Sequence, residues 1–251
     1  ITGSKGVYRS PSEMGVNRAG FAIVDDQAAR EAAKQEVVRR YLRCACEFMM
    51  GMADQESLNK ADRLLKELGI APEYRAVVPA ARRAAAEAAS EAEAAADAKA
   101  AEAAESLARS EMAHCGAAIE LPDGEILTGK NSTLLHAATA AIIKAVKRLA
   151  GVPPAIHLLP PLVIESIAKF KREVMRGKSA SLDVDEALIA LAISATLNPM
   201  VQACIDALHS LRGCQMHLSH LPSPGDEAGL RRLGIELTSD PVHASKRLFL
   251  E

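Results

Sequence analysis

The chain has 251 residues and 49% of them are hydrophobic, which is enough apolar material for one large domain or two smaller ones. The formal net charge is −2 and aromatic residues make up only 3%, so the clustered basic excess and stacking aromatics of nucleic-acid-binding proteins are absent. The longest apolar runs, such as residues 187–197, are too short or too interrupted to span a bilayer. We therefore expect neither nucleic acid nor a membrane as a partner.

The cysteines and the first residues indicate a compartment and a context. Five cysteines at irregular spacing do not form a disulfide framework, and the first residues lack the basic start and apolar middle of a signal peptide. These features predict a reducing, cytoplasmic environment. The chain begins at Ile1 in a stretch that contains Gly and Ser, and this start predicts the trailing part of a longer protein.

The first third of the chain is predicted to be helical. Apolar residues recur at three and four positions over residues 29–48 and predict a first helix that Gly51 ends. A second helix is predicted from Asp54 to Gly69, where glycine suits the left-handed residue after a helix.

An Ala-rich segment follows over about residues 76–112. Pro79 suits the first turn of a helix, and the residues after it are mostly Ala, Glu, Lys and Arg. This composition favours helix but has almost no large side chains to bury. We therefore favour a surface helix or a linker over a core element.

Strand and helix patterns alternate from residue 113 onward. Two strands, 117–121 and 126–128, flank the turn residues Pro122-Asp123-Gly124. The later predicted elements are a helix over 132–149, a strand over 156–159, a helix from Pro161, helices over 183–196 and 199–211, a strand over 214–219, a helix over 225–233 and a strand over 235–238. The pattern predicts a helical subdomain, 1–112, and an α/β subdomain, 113–251, whose mixed or parallel sheet has about five strands.

The segment from Gly124 to Asn131 is close to a phosphate-binding loop. It has the two glycines and the lysine, Lys130, of that motif at the correct spacing, but Asn131 stands where a Ser or Thr hydroxyl must bind magnesium. The residues between the glycines also have the pattern of a strand. We favour a hairpin whose second strand continues to Gly129.

The order of hairpin, histidine-led helix, strand and proline-led helix is the order found in zinc-dependent nucleoside and base deaminases. In those enzymes a His-x-Glu motif supplies one zinc ligand and the proton shuttle, and Pro-Cys-x-x-Cys supplies the other ligands. Here Ala138 replaces the glutamate after His136, and the helices that begin at Pro161 and Pro199 bring no cysteine pair. The sequence predicts a cytidine-deaminase-like three-layer fold without a zinc site.

No other cysteine or histidine pattern closes a metal site. Cys214, His217 and His220 lie on one predicted strand, where alternate side chains point to opposite faces, so the three cannot converge. Cys44 and Cys46 diverge by about 200° around a helix. We expect this chain to bind no metal and no cofactor.

A polar cluster lies on the first predicted helix beside Tyr41. We favour a solvated helix face with pairs such as Glu36–Arg40, although Arg39 and Arg40 could instead bind a phosphate or a carboxylate.

Several uncommon strings in one order resemble the bacterial family known as domain of unknown function 1846. They include Ser10-Pro11-Ser12-Glu13-Met14-Gly15-Val16-Asn17, Lys34-Gln35-Glu36 with Arg39-Arg40-Tyr41, Ala118-Ile119-Glu120-Leu121-Pro122-Asp123-Gly124 with Thr128-Gly129-Lys130, Asp185-Glu186 with Leu188-Ile189-Ala190-Leu191, and Leu211-Arg212-Gly213-Cys214. The resemblance covers nearly the whole chain except the Ala-rich segment. It implies an additional N-terminal α/β half with a glycine-rich phosphate-type loop, so that this chain is the C-terminal half only. It implies no reaction.

Two functional hypotheses remain open. In the first, this half and the missing N-terminal α/β domain form a cleft for a nucleotide or another phosphorylated ligand; the candidate ligand-binding residues are Ser10, Ser12, Asn17, Lys34, Arg39, Lys130 and His136. In the second, the chain is a non-catalytic, zinc-free, deaminase-like module for assembly or small-ligand binding. Partners are then the N-terminal domain and other copies in a homo-oligomer.

Overall fold

A computed structural model of the protein describes residues 26–98, 114–176 and 180–244. The candidate residues Ser10, Ser12 and Asn17 lie outside the described residues.

Two helices form a hairpin at the start of the described chain. Helix α1 spans Asp26–Met49 and α2 spans Gln55–Leu68. The Asp54 side chain accepts a hydrogen bond from the Ser57 backbone N–H, and Gly69 ends α2 in the left-handed conformation with a φ of 62°. Both predicted helices are confirmed. The bounds of α2 agree with the prediction, because its end signals Asp54 and Gly69 are local.

Helix α3, Val77–Ala98, covers one face of the sheet. A short 3₁₀ turn, Pro72–Tyr74, precedes it. Val77, Ala80 and Ala81 are buried with Ala118 of the sheet in one apolar cluster. The first part of the Ala-rich segment is therefore a packed helix, because alanines allow its backbone to approach the strands closely.

Four strands form a mixed sheet in the described residues. They are β1 (Gly116–Glu120), β2 (Ile126–Lys130), β3 (Gln215–Leu218) and β4 (Glu236–Ser239), in the spatial order β2-β1-β3-β4. Strand β1 is antiparallel to both β2 and β3, and β3 is parallel to β4. Strands β1 and β2 form the predicted hairpin, and Gly129 and Lys130 belong to its second strand.

Two glycines let helices rest directly on the sheet. A Cβ atom on Gly116 would lie 2.2 Å from the Ala81 carbonyl oxygen of α3. On the opposite face, a Cβ atom on Gly129 would lie 2.3 Å from the Ala137 carbonyl oxygen at the start of the next helix. The sheet is therefore enclosed by helix backbones on both faces.

Five further helices complete the second face. They are α4 (Ala137–Leu149), α5 (Pro161–Glu173), α6 (Val184–Ala195), α7 (Pro199–Asp206) and α8 (Pro224–Arg232); a 3₁₀ segment, Ala207–Leu211, follows α7. Their buried or half-buried side chains join Ala117, Ile119, Met216 and Leu218 of the sheet in the largest apolar cluster.

The predicted strand over 156–159 is wrong. These residues form turns between α4 and α5, although Leu158 and Leu159 are buried. Proline pairs at Pro153-Pro154 and Pro160-Pro161 flank the run and remove backbone donors that a sheet ladder needs. Within the described residues the sheet therefore has four strands and not about five.

The described chain is thus a mixed α/β structure with helices on both faces of a small sheet. None of its described helices has the combined length and apolar character of a membrane span.

Candidate functional site

Two polar segments at the starts of helices meet beside the end of β3. His136 immediately precedes α4, and Ser223 is the N-cap residue of α8. Asp226 lies in the first turn of α8 and is only 1% exposed. We call His136, Ser223 and Asp226 the histidine–aspartate site.

The Asp226 carboxylate is the centre of this site. Its Oδ2 atom lies 2.7 Å from His136 Nδ1 and accepts a 2.7 Å hydrogen bond from Ser223 Oγ. Its Oδ1 atom accepts a 3.0 Å bond from the Val184 backbone N–H at the start of α6. A buried carboxylate with three donors is satisfied, and it ties α4, α6 and α8 together at one point.

The charges of the pair reinforce each other. Burial by itself lowers the pKa of His136, but the hydrogen bond and the charge of Asp226, helped by Asp183, outweigh burial and raise the pKa above 6.5. Burial by itself raises the pKa of Asp226, but bonds from His136, Ser223 and the Val184 backbone hold it below 3.8. The contact therefore favours the imidazolium–carboxylate form over the neutral pair.

Backbone contacts fix where the His136 ring begins. The His136 N–H donates to the Leu182 carbonyl at 2.9 Å, and the Leu182 N–H donates to the Leu134 carbonyl at 2.8 Å. This short parallel contact sets the start of α4 against the start of α6. Helix α4 has no side-chain N-cap bond, and the His136 side chain is 26% exposed. The ring is thus held on its Nδ1 side and remains partly accessible.

Charged groups of α5 and α6 lie next to the site. Asp183 forms a capping box with Glu186 at the start of α6, and its carboxylate occupies the space where a Cβ atom on Gly225 would lie. Burial is the main reason that the pKa of Asp183 is raised. Lys171 Nζ donates to Glu186 Oε2 at 2.8 Å, so these two charges compensate each other.

A second buried histidine borders the site. His220 is 7% exposed, and its Nδ1 atom has no hydrogen-bond partner in the described part of the chain. Burial lowers the pKa of His220 to about 4, while the charge of nearby Asp226 acts in the opposite direction. Burial is the main cause that raises the pKa of Cys115 to about 11, and the negative charge of nearby Asp226 raises it further. Both side chains are therefore neutral near pH 7.

Three other predicted ligand-binding residues lie away from His136 and are paired. Lys34 Nζ lies 3.0 Å from Glu31 and faces the Tyr74 ring. Arg39 contacts Glu236 of β4 at 2.5 Å and Glu36 at 3.6 Å, and Arg40 contacts Glu36 at 2.9 Å. Lys130 contacts Glu87 and Glu91 of α3 at 3.2 and 2.7 Å. Their role in ligand binding stays a prediction.

The opposite face of the sheet carries a separate polar network. His217 Nδ1 lies 3.0 Å from Thr238 Oγ1, and Asp240 accepts two hydrogen bonds from Arg82 at 2.7 and 2.9 Å. Arg75 is fully buried, and burial lowers its pKa to about 10. This network connects α3 to β3 and β4.

Sequence reasoning missed Ser223 and Asp226. The usable signal was the string Pro222-Ser223-Pro224-Gly225-Asp226, two residues after the predicted strand 214–219. It has the spacing of Pro-Cys-x-x-Cys with Ser and Asp in place of the cysteines. Across the described ranges, no three His, Cys, Asp or Glu side chains are grouped so that they could hold a metal ion.

Comparisons with known proteins identify two family models along the chain. Residues 73–249 match the domain of unknown function DUF1846, C-terminal, and residues 1–69 match the domain of unknown function DUF1846, N-terminal. The expectation that the chain is the C-terminal half only is therefore wrong, because its first 69 residues match the N-terminal model.

Curated relatives carry the name UPF0371 protein. Those of Clostridium botulinum strain Alaska E43 / Type E3 and strain Langeland / NCTC 10281 / Type F are each 39% identical, over 250 and 249 residues. The alignments cover 99% of this chain and 46% of each relative. The chain thus spans about half the length of these relatives.

Proposed function

The chain belongs to the family of domain of unknown function DUF1846, and we propose that it supplies an acid–base dyad, His136 with Asp226, to a ligand cleft. The rest of the cleft comes from the part of the longer relatives that this chain does not cover, and its ligand is a nucleotide or another phosphorylated compound. The observation that carries the proposal is the 2.7 Å contact between His136 Nδ1 and the buried Asp226 carboxylate.

This contact gives the imidazole a defined chemical role. When Asp226 accepts a hydrogen bond from Nδ1, the ring orientation and tautomer are fixed, and Nε2 becomes the atom that can exchange a proton with a ligand. A positioned general acid or base of this kind contributes about 10²–10⁴-fold to a reaction rate. The raised pKa of His136 favours the protonated ring, which suits a general acid and attracts an anionic ligand.

The other predicted cations indicate which part of the protein binds the phosphate of the ligand. Lys34, Arg39 and Lys130 are each balanced by carboxylates of this chain. In our proposal the phosphate of the ligand is therefore held mainly by the glycine-rich loop that the family resemblance implies, and His136 acts at the other side of the cleft.

Thermal-shift screening of the intact protein against nucleotides and sugar phosphates tests the cleft. We expect at least one compound to raise the melting temperature. His136→Asn should weaken that compound at least tenfold near pH 6 and remove the pH dependence of its binding. The cleft proposal fails if no compound shifts the wild type, and the dyad proposal fails if His136→Asn binds like the wild type.

A zinc-free deaminase-like module is a second candidate, and the arrangement of His136, Ser223 and Asp226 favours it. In the proposed correspondence, Ser223 and Asp226 replace the two zinc-binding cysteines and His136 is the remaining ligand. A proton shared within the site then takes the place of the metal. The finer deaminase-like fold assignment rests on this correspondence and on the strand order of the sheet.

Rebuilding the metal site tests this correspondence. The double variant Ser223→Cys with Asp226→Cys should bind about one zinc ion per chain by elemental analysis, because two thiolates would converge on His136. Ser223→Cys alone is the matched control and should bind none tightly. A folded double variant without zinc would refute the correspondence. Mass photometry addresses the assembly role, and a strict monomer that binds no metabolite would remove its support.

A further inference from the structure

A cavity of about 770 Å³ lies beside α4, at the edge of the sheet that β2 forms. Its walls come from β2, α4 and the turns between α4 and α5. Leu127, Ile143, Val152, Leu158 and Leu159 are among the lining residues, and they make the walls largely apolar. This volume lies within the range of about 300–1,000 Å³ that is typical of small-molecule sites.

Three cations of α4 stand at this cavity, and they are not equivalent. Arg148 is neutralised by Glu125 at 2.7 Å and by Asp123 at 3.4 Å. Lys144 Nζ donates to the Thr128 carbonyl at 2.6 Å, and Lys147 Nζ donates to the Pro154 carbonyl at 3.0 Å.

The two lysines carry positive charge that no carboxylate of the described residues balances. Within residues 26–98, 114–176 and 180–244, neither Lys144 nor Lys147 belongs to an ion pair, and each ammonium has a carbonyl partner. Burial lowers the pKa of Lys147, so its ammonium group has lost part of its hydration. An anion that reaches both ammonium groups would accept two charge-assisted hydrogen bonds, one from Lys144 and one from Lys147.

We propose that this cavity binds a small amphiphilic anion, a molecule with an apolar body and one carboxylate or phosphate head group. The apolar body fills the space between Leu127, Ile143 and Leu158. The head group contacts the ammonium groups of Lys144 and Lys147. The site is distinct from the histidine–aspartate site, and it does not depend on the function proposed above.

Isothermal titration calorimetry of this chain with decanoate, decyl phosphate and uncharged decanol tests the proposal. We expect both anions to bind more tightly than decanol, and their relative affinity shows which head group is preferred. The double variant Lys144→Gln with Lys147→Gln should weaken decanoate about tenfold or more and leave decanol unchanged. The matched control, Lys60→Gln with Lys66→Gln, removes two exposed lysines of α2 and should change neither.

Filling the cavity gives an independent measurement. Leu134 lines the cavity and is 51% exposed, so Leu134→Trp should be tolerated while it occupies the space. This variant should weaken all three probes, with a thermal melt as evidence of folding. The proposal is overturned if none of the probes binds the folded wild type, if decanol binds as tightly as decanoate, or if the Lys144 and Lys147 variant binds decanoate unchanged.

Discussion

Replacing Asp226 with asparagine should destabilise the protein in a pH-dependent way. The shape of the side chain is kept, but the charge that holds His136 and Ser223 is removed. The asparagine side chain can still accept from the Val184 N–H through its one oxygen, while its amide group then faces the donors of His136 and Ser223. The variant therefore loses charge-assisted hydrogen bonds in a buried place.

The size of the effect follows from the number of bonds lost. A hydrogen bond to a charged group contributes about 1.5–3 kcal/mol net, and an unsatisfied buried donor adds a penalty, so we expect a loss of about 3 kcal/mol at pH 5.5. The pKa of His136 is raised above 6.5, so its share of the stability is fully present below pH 6.5 and is lost as the pH rises through the folded value. The deficit of Asp226→Asn should therefore shrink to about 1–2 kcal/mol at pH 9.

The opposite limb of the pH profile has the opposite sign. The pKa of Asp226 is held below 3.8, so the carboxylate stabilises the fold above about that pH, and this contribution is lost as the pH falls through the folded value. The wild type should therefore exceed the variant most between about pH 4 and 6.5.

Urea denaturation of wild type and variant at pH 5.5 and 9 measures both quantities. Glu227→Gln is the matched control on the same helix, since the ion-pair partner of Glu227 within the described residues is the exposed Arg231. It should cost less than about 0.5 kcal/mol. If Asp226→Asn behaves like Glu227→Gln, or if its deficit does not depend on pH, the account of the buried pair is refuted.

The other predictions concern packing, capping and thiol chemistry. Gly129→Ala should cost about 3 kcal/mol in urea denaturation because its Cβ would meet helix backbone, whereas Gly51→Ala, which meets only open space but has a φ of 73°, should cost about 1 kcal/mol; equal costs would contradict this packing. Ser223→Ala removes the N-cap of α8 and should cost about 1–2 kcal/mol, measured by thermal melting; an unchanged midpoint would disprove it. Burial raises the pKa of Cys115 to about 11, so its thiol should not react with Ellman's reagent at pH 8 until the chain is unfolded, and reaction in the native state would show that the site is open.

Local chemistry made the helix ends predictable. Asp54 and Gly69 satisfy the free groups at the two ends of α2, and a signal of this kind depends only on neighbours in the chain. The β1–β2 hairpin was predictable for the same reason, since Gly124 has a φ of 84° in the turn between its strands.

The hydrophobic pattern gave a wrong prediction where more than one local structure can bury the same residues. The apolar run 156–159 resembles a buried strand, but Leu158 and Leu159 are buried as turn residues that line a cavity. The Ala-rich segment has few large side chains, yet α3 packs firmly because its backbone rests on Gly116. Neither case could be resolved from side-chain size alone, because the partner surface comes from distant parts of the chain.

The histidine–aspartate site was only half predictable for a topological reason. His136 was identified, but its partner Asp226 is 90 residues away, after α5, α6 and α7. A strand expected after α4 pointed instead to the helices that begin at Pro161 and Pro199 as the source of its partners. In the structure β3 pairs with β1, and the segment after β3 brings Asp226 to His136.

Helix α4 connects the two sites proposed here, and its sequence serves three purposes at once. Ala137 and Ala141 lie over Gly129 and bring the helix backbone onto the sheet. Ala140 and Lys144, one turn apart, line the apolar cavity on another side of the helix. The sheet contact therefore fixes the distance between the α4 backbone and the sheet, and with it the position of His136 at the start of the helix. This explains why Ala137 and Ala141 are small: a larger side chain on the sheet side would displace the cavity wall and His136 together.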